Sequence, residues 1–597
     1  MLPDNLQLHL VDNFDTAWEF SQWLEGRDRI AVDTETTGLV IGQDRVRLIQ
    51  VGGLDAGWAI PMDRWGGLFE DLIVRRFCAD HTNKIDMHNA KFDAGMLEHH
   101  GMHIPRGMIR DTRVMSHVRE PHMSTALKNQ AGRWVDSAAA AGQGKLDQIM
   151  RKANWTWATV PVYLPEYWSY AALDTVLTAH LSAVHEPFVL ADAPAAYELE
   201  NAYQWVAEKM ERNGAYIDVE YAEQKYVAFT QFVAKAEKWI WDNYHVKAGS
   251  NAAIIEILQG LGFEFSKPTA SGALALDKEV LGFIDHPLAE TVLQRRQLQK
   301  LTSTYLHHFI NECDAEQLIH PSINTLGART SRMSMERPNL QNLPRRSESN
   351  PAATTIRNCF RSRYHESGGT MVMCDFDQIE MRGMAIMSQD PGLIAAFQSP
   401  DDFFINLARE IFQDPNLSDK KDPRRQITKN AGYATIYGAG VAKSAQTAGV
   451  PEDHMRAVRT RWDQLYPGTR GLAQQIEKIA WARQRDEGVP YVRCPLTGRR
   501  QVGDRNKVYA LVNYLIQGWA AALFKQKQLA LDAAGLGEFM VVPVHDEIVL
   551  DVPPDQVDDV VHTLYKLMND DTSFAVPVSA SVSAGERWGD KKDVVIA

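Results

Sequence analysis

The chain has 597 residues, 45% of them apolar and 23% charged, with a formal net charge of −13. That length exceeds what one hydrophobic core supports, so several domains are expected in an otherwise ordinary folded protein. No apolar run reaches the length of a membrane span and no basic-then-apolar leader opens the chain, which argues against membrane insertion and secretion. The five cysteines form no Cys-x-x-Cys pair, so zinc sites and a disulfide framework are not expected, and a cytoplasmic location fits. The acidic balance speaks superficially against nucleic acid, but phosphate affinity depends on local patches. The pairs Arg295-Arg296, Arg345-Arg346, Arg424-Arg425 and Arg499-Arg500 are candidates for such patches, or for plain solvated surface.

In chain order, Ile30-Ala31-Val32 reads as a buried strand running out into Asp33-Thr34-Glu35. Side chains alternate along a strand, so Asp33 and Glu35 share a face. Residues 46–52 and 58–62 read as the next two strands of a meander. His88-Asn89-Ala90-Lys91-Phe92-Asp93 reads as a strand end turning into a helix, with Asp93 in its first turn. The alanine- and glycine-rich stretch 137–144 reads as a flexible loop. A helix opened by Pro165 carries Tyr170 and Asp174 four apart on one face. Asp33, Glu35, Asp93 and Asp174 supply hard oxygen ligands suited to a pair of magnesium ions, which generate hydroxide and stabilise a leaving oxygen; Tyr170 could orient the attacking water. Asp-x-Glu alone would better suit surface acids and helix caps; the ordered set of five reverses that balance.

Further on, residues 198–218 read as a helix and turn, and 296–305 as a basic amphipathic helix, a pattern shared by duplex-gripping arms and ordinary surface helices. The apolar run Met371-Val372-Met373-Cys374 ends in Asp375, the start of a segment reaching Arg382. Arg425, Lys429, Tyr433 and Tyr437 recur every four residues and form one helical stripe. Two cations followed by two aromatics match a nucleotide lying along the helix, with phosphates on Arg425 and Lys429 and sugar and base on Tyr433. His545-Asp546-Glu547 is a polar tip between two strand-like runs. Asp375 and Asp546, on adjacent strands, could bridge two magnesium ions, one activating a hydroxyl and one neutralising phosphates; each could instead be a turn residue. Glu547 reads as a supporting acid.

In this order the 375–382, 425–437 and 545–547 segments resemble the three polymerase motifs of family A DNA polymerases, the DNA polymerase I group. The first carboxylate set with Tyr170 resembles the tyrosine-containing 3′–5′ exonuclease domain of the same enzymes. The resemblance spans residues 25 to 590. It implies an α/β multidomain fold: an RNase H-like 3′–5′ exonuclease domain (1–190) followed by a right-hand polymerase. The latter would comprise a thumb (191–320), a palm with an antiparallel sheet (321–382 and 506–597) and helical fingers (383–505). It implies template-directed DNA synthesis with proofreading, in replication or repair, using dNTPs and primer–template DNA with Mg2+, or Mn2+ as a substitute.

The same resemblance assigns residues. Asp375, Asp546, Glu547 and Lys429 would be catalytic in synthesis, and Asp33, Glu35, Asp93, Asp174 and Tyr170 in excision. Nucleotide contacts would fall to Arg425, Lys429, Tyr433, Tyr437, Glu380, Gln378 and His545, where His545 could also contact the primer terminus or merely satisfy a turn. Glu380 would exclude the 2′-hydroxyl that distinguishes RNA. DNA contacts would fall to Arg332, Asn339, Gln341, Asn342, Asn513 and Gln517, chiefly in the minor groove, where a donor tests pair shape without reading sequence. The chain departs from the family at Ser331 (usually Gly), at Gly432-Tyr433-Ala434 (usually Asn-Phe-Gly) and at Tyr509 (usually Arg, with Arg505 or Lys507 as possible replacements). Tyrosine at position 433, as in some phage members, is associated with weak rejection of dideoxynucleotides. No space is left for a 5′-nuclease domain or a large processivity insertion, so a compact, monomeric, Klenow-like and phage-encoded enzyme is expected, with accessory proteins unspecified. Two rivals remain at this stage: an RNA-processing exonuclease with an inactive polymerase body, and a non-catalytic primer–template binder.

Overall fold

The computed structural model describes the chain except for residues 1, 4, 139–140, 270, 345–351, 400 and 596–597. The Arg345-Arg346 pair therefore lies outside the described residues, as do two positions of the expected 137–144 loop. From Ala141 that stretch is helical (Ala141–Ala153), a correction to the loop expectation: Leu146 and Met150, one turn apart, are buried, and that packing outweighs the two glycines.

The N-terminal part is a six-stranded mixed sheet: β1 (Gln7–Leu10), β2 (Arg29–Thr36), β3 (Val46–Gly52), β4 (Ala56–Pro61), β5 (Lys84–Met87) and β6 (Ile109–Asp111), in the order β1-β4-β3-β2-β5-β6. β2–β3–β4 form the antiparallel meander, and β5 and β6 add parallel to β2. β2 is central because Ile30, Ala31 and Val32 are fully buried between layers. The Pro165–Asp192 helix lies across β2, β3 and β4. It comes so close that a Cβ at Gly57 would stand 2.3 Å from the Ala172 carbonyl oxygen, and one at Gly52 would meet Thr175 Oγ1 at 2.2 Å. Only glycine permits that approach. The result is that Tyr170 and Asp174 are pressed over the end of β2.

The C-terminal part is built on a five-stranded antiparallel sheet, in the order Met540–Val544, Glu547–Val552, Thr370–Phe376, Ala580–Gly585, Lys592–Asp593. Its core joins Val372, Met373, Ile548 and Val549 to the buried face of the Leu511–Ala533 helix. Between the first palm strand and that helix lies a helical body with its own core around Phe404, Trp462 and Ile476. Ahead of the palm, the Val219–Tyr244 and Pro287–Lys300 helices pack on one another around Ile240, Leu288 and Val292. Among the described residues no helix is long and apolar enough to cross a membrane.

The Pro194–Asn213 helix joins the two halves. At its centre the fully buried Glu200 accepts from Lys525 Nζ at 2.6 Å and meets Arg499 Nη1 at 3.3 Å; Arg499 also donates to His117 of the N-terminal part. Nearby, Asp192 accepts from Arg493 and Arg500 at 2.7 and 2.6 Å. Arg295 pairs with Glu237, Arg296 with Asn251 and the Leu276 carbonyl, and Arg424 with Asp414 and Asp422. The arginine pairs singled out as phosphate patches are thus committed inside the protein wherever they are described.

Candidate active sites

In the N-terminal part, ligand oxygens of Asp33, Glu35 and Asp174 all lie within 4.8 Å of one another. β2 delivers the first two from one face and the long helix delivers the third, as alternation and the four-residue spacing predict. Asp93 stands beside this triad, not in it. Its Oδ1 accepts from the backbone N–H and the hydroxyl of Thr34, at 3.1 and 2.7 Å, and so ties the Ala90–His99 helix to β2.

Crowding four acids away from water has a predictable cost. Burial, with help from the Asp33 charge, pushes the Glu35 carboxyl up to about 8, and burial pushes Asp33 up to about 6. Asp93 is driven well above the carboxylate range by burial and by Asp33. A site that resists ionisation in this way is one a cation would complete. One cation is supplied by the chain: Lys128, on the Leu127–Trp134 helix, donates to Asp174 and lies 4.2 Å over the Tyr170 ring. Nothing in the local sequence marks this lysine; only the packing of its helix on the Pro165–Asp192 helix brings it here.

In the C-terminal part, Asp375 ends its strand opposite Glu547, and the Phe376 N–H donates to the Asp546 carbonyl at 3.2 Å. The two aspartates, 171 positions apart (546 − 375), are therefore neighbours across one sheet. Asp546 lines a cavity of about 300 Å³ with Arg332, Gln341, Glu380, Tyr433, Tyr437, Phe524 and His545. The Tyr433 hydroxyl is pushed up by burial and then by Glu380, Asp546 and Asp375, so all four groups share one electrostatic environment.

Glu380 is held on both carboxylate oxygens. Its carboxylate accepts from the Tyr437 hydroxyl at 2.6 Å and pairs with Arg332. Arg332, expected only to face the minor groove, thus also anchors this glutamate. Arg425 lies in the Pro423–Ile436 helix as expected but is held by Asp402 through two bonds of 2.9 and 2.7 Å. A phosphate would have to compete for it. Lys429 and Tyr433 follow on the same helix, and Tyr437 sits at its C-terminal cap.

Glu547 is buried and accepts from Trp588 Nε1 at 3.0 Å and from Lys591 at 2.5 Å, an arrangement that props the hairpin. His545 is exposed at the tip with a φ of 59°, so it is a turn residue whose ring still borders the cavity. The Asn339 side-chain oxygen caps the Leu340–Asn342 turn by accepting from the Gln341 and Asn342 N–H groups. Gln341 reaches the Pro543 carbonyl at 3.4 Å. The Asn342 carbonyl accepts from Tyr305. The side-chain oxygens of Gln378 and Asn513 are buried with no hydrogen-bond partner among the described residues, and Gln517 follows Asn513 one helical turn later.

The departures also have physical readings. Ser331 has a φ of 59°, the left-handed conformation for which glycine is the unstrained residue. Tyr509 is half exposed, and its ring would lie 3.2 Å from a Cβ at Gly438, just past Tyr437. Arg505 reaches only the Gly488 carbonyl, at 3.5 Å.

A carboxylate centre on a mixed sheet, joined to an antiparallel palm with two aspartates and a helix of cations and tyrosines, defines a nucleotidyl-transfer protein with an attached nuclease domain. The chain belongs to DNA polymerase family A: that family's profile matches residues 219–590, and a 3′–5′ exonuclease profile matches residues 8–184. It is 28% identical to the DNA polymerase of Mycobacterium phage D29, over 98% of this chain and 97% of that one. It is 29% identical to DNA polymerase I of Chloroflexus aurantiacus, over 84% of this chain and 54% of that protein. Its fold matches the POL domain of Pol1 from M. smegmatis, solved in complex with DNA primer-template and dNTP, with a TM-score of 0.78 at 21% identity. That match covers 98% of this chain and 99% of the other.

Proposed function

We propose that the protein extends DNA primers on a template with dNTPs and removes mispaired 3′ ends through its N-terminal site, acting as an intracellular monomer in DNA replication or repair. The observation that carries this reading is that Asp375 neighbours Asp546 across the sheet, and Asp546 lines the cavity that also holds Glu380, Tyr433 and Tyr437. In it, Arg425 and Lys429 receive the triphosphate, with Asp402 giving up Arg425 as phosphate arrives. Tyr433 packs against sugar and base, Glu380 closes the space a 2′-hydroxyl would need, and Tyr437 borders the templating position. Arg332, Gln341, Asn342, Asn513 and Gln517 contact the primer–template, chiefly in its minor groove. The buried oxygens of Gln378 and Asn513 find their partners in substrate.

The donor set fits divalent ions: hard carboxylate oxygens, clustered and resisting ionisation even with Lys128 beside them. Asp375 and Asp546 would hold Mg2+ for synthesis, and Asp33, Glu35 and Asp174, with Asp93 behind them, for excision. Bound there, the metal lowers the pKa of the attacking hydroxyl or water and neutralises the leaving oxygen. In the nuclease site Tyr170 orients the water, and the acids keep the phosphate ester in line. Glu547 acts through the hairpin it props.

Primer extension with Mg2+ tests the assignment. Asp546→Ala abolishes extension and leaves 3′ degradation intact; Asp33→Ala abolishes degradation and leaves extension. Extension surviving Asp546→Ala, or degradation surviving Asp33→Ala, would overturn the corresponding half.

A further inference from the structure

The nuclease site contains a cation that none of the assigned roles uses. The Lys128 ammonium donates to Asp174, lies 4.2 Å over the Tyr170 ring, and is almost fully enclosed. Asp174 is one of the three acids whose ligand oxygens crowd within 4.8 Å. A long, flexible side chain is confined here at a considerable cost in rotamer entropy, and burial lowers its pKa although the aromatic face and the nearby carboxylates oppose this. Arg47, the other cation near Glu35, is committed elsewhere: it donates to the carbonyls of Trp157 and Val160, both at 2.6 Å.

Resting on the proofreading reading above, we propose that Lys128 is a positioning residue of the nuclease site. Its ammonium holds the acids together as a built-in counter-ion, and divalent metal must displace it to load. The same Asp174 oxygen cannot serve a lysine and a metal ion at full strength. Metal loading is thus an exchange of one cation for another, and the lysine sets the metal concentration at which excision switches on. Taking this competing charge away should raise metal affinity by about tenfold or more.

The test titrates full-length protein with Mn2+ by calorimetry, in an Asp546→Ala background that removes the polymerase site. Lys128→Met is expected to bind Mn2+ at least about tenfold more tightly than the parent, while its thermal midpoint without metal falls and saturating Mn2+ restores it. Lys128→Arg keeps the charge and should keep parental affinity. A lysine that merely packs would leave Kd unchanged or weaken it on replacement, and either result overturns the proposal. Should Lys128→Met fail to fold, Lys128→Gln is titrated in its place with the same expectation. Failure of the underlying reading looks different: the parent would bind Mn2+ no better than an Asp174→Asn variant.

Discussion

Glu380 offers the most direct test of substrate choice. Its side chain fills one wall of the roughly 300 Å³ cavity and is fixed by Arg332 on one oxygen and Tyr437 on the other. Because both bonds are charge-assisted, the carboxylate cannot swing aside to admit an extra hydroxyl. Forcing one more heavy atom into a packed wall costs about 1–3 kcal/mol, which is about 5- to 150-fold in rate. Glu380→Ala removes the carboxylate and the methylene that carries it, more space than one oxygen needs. We predict that the ratio of ribonucleotide to deoxyribonucleotide kcat/KM rises by about 5- to 150-fold in this variant, while dNTP use also falls because Arg332 and Tyr437 lose their acceptor. Glu380→Gln keeps the volume and should keep most of the discrimination. Single-nucleotide extension with matched rNTP and dNTP reads both. An unchanged ratio in Glu380→Ala, or an equal rise in Glu380→Gln, would refute the steric argument.

Three more expectations follow from the same structure. Tyr433→Phe removes the hydroxyl that sits among Glu380, Asp546 and Asp375, and should make dideoxynucleotide incorporation several-fold less efficient relative to dNTPs in a chain-termination assay; an unchanged ratio counts against its sugar contact. At the junction, Glu200→Gln leaves buried Lys525 and Arg499 without their counter-charge and should lower stability by about 3–5 kcal/mol, whereas Lys525→Met leaves a balanced Arg499–Glu200 pair and should cost less than about 1 kcal/mol; urea unfolding that ranks them the other way contradicts this. His117 is held well below its ordinary range by burial, then by Arg499 and Lys525, so it stays neutral when folded and takes a proton only when unfolded. Its contribution is thus intact above pH 6.5 and lost as pH falls below it, at about 1.4 kcal/mol per pH unit. His117→Gln should flatten the stability profile below pH 6.5, and an unchanged slope excludes this assignment.

Much of both sites was legible along the chain because the relevant geometry is local. Asp33 and Glu35 need only strand alternation, Tyr170 and Asp174 only a helical turn, and the Arg425–Tyr437 stripe only helical periodicity. Asp375 and Asp546 needed the family pattern, since nothing local joins two strands so far apart in sequence. What escaped was the pairing of charges. Arg499 and Arg500 look like a phosphate patch in sequence, yet their partners Glu200 and Asp192 lie some three hundred positions earlier. Arg332 and Glu380, or Lys128 and Asp174, are likewise matched only when packed elements meet. A side chain's type is local information; its counter-ion is a property of the tertiary fold.

The Pro165–Asp192 helix carries a consequence of its own. It carries Asp174 of the nuclease centre in its third turn and ends at Asp192, gripped by Arg493 and Arg500 of the hairpin that pairs Tyr491–Arg493 with Arg500–Val502. The eighteen intervening steps (192 − 174) make a bar about 27 Å long. Glu200 is clamped just beyond it, and Pro187 removes a backbone donor between the two acids, so a point of give in the bar lies close to its Asp192 end.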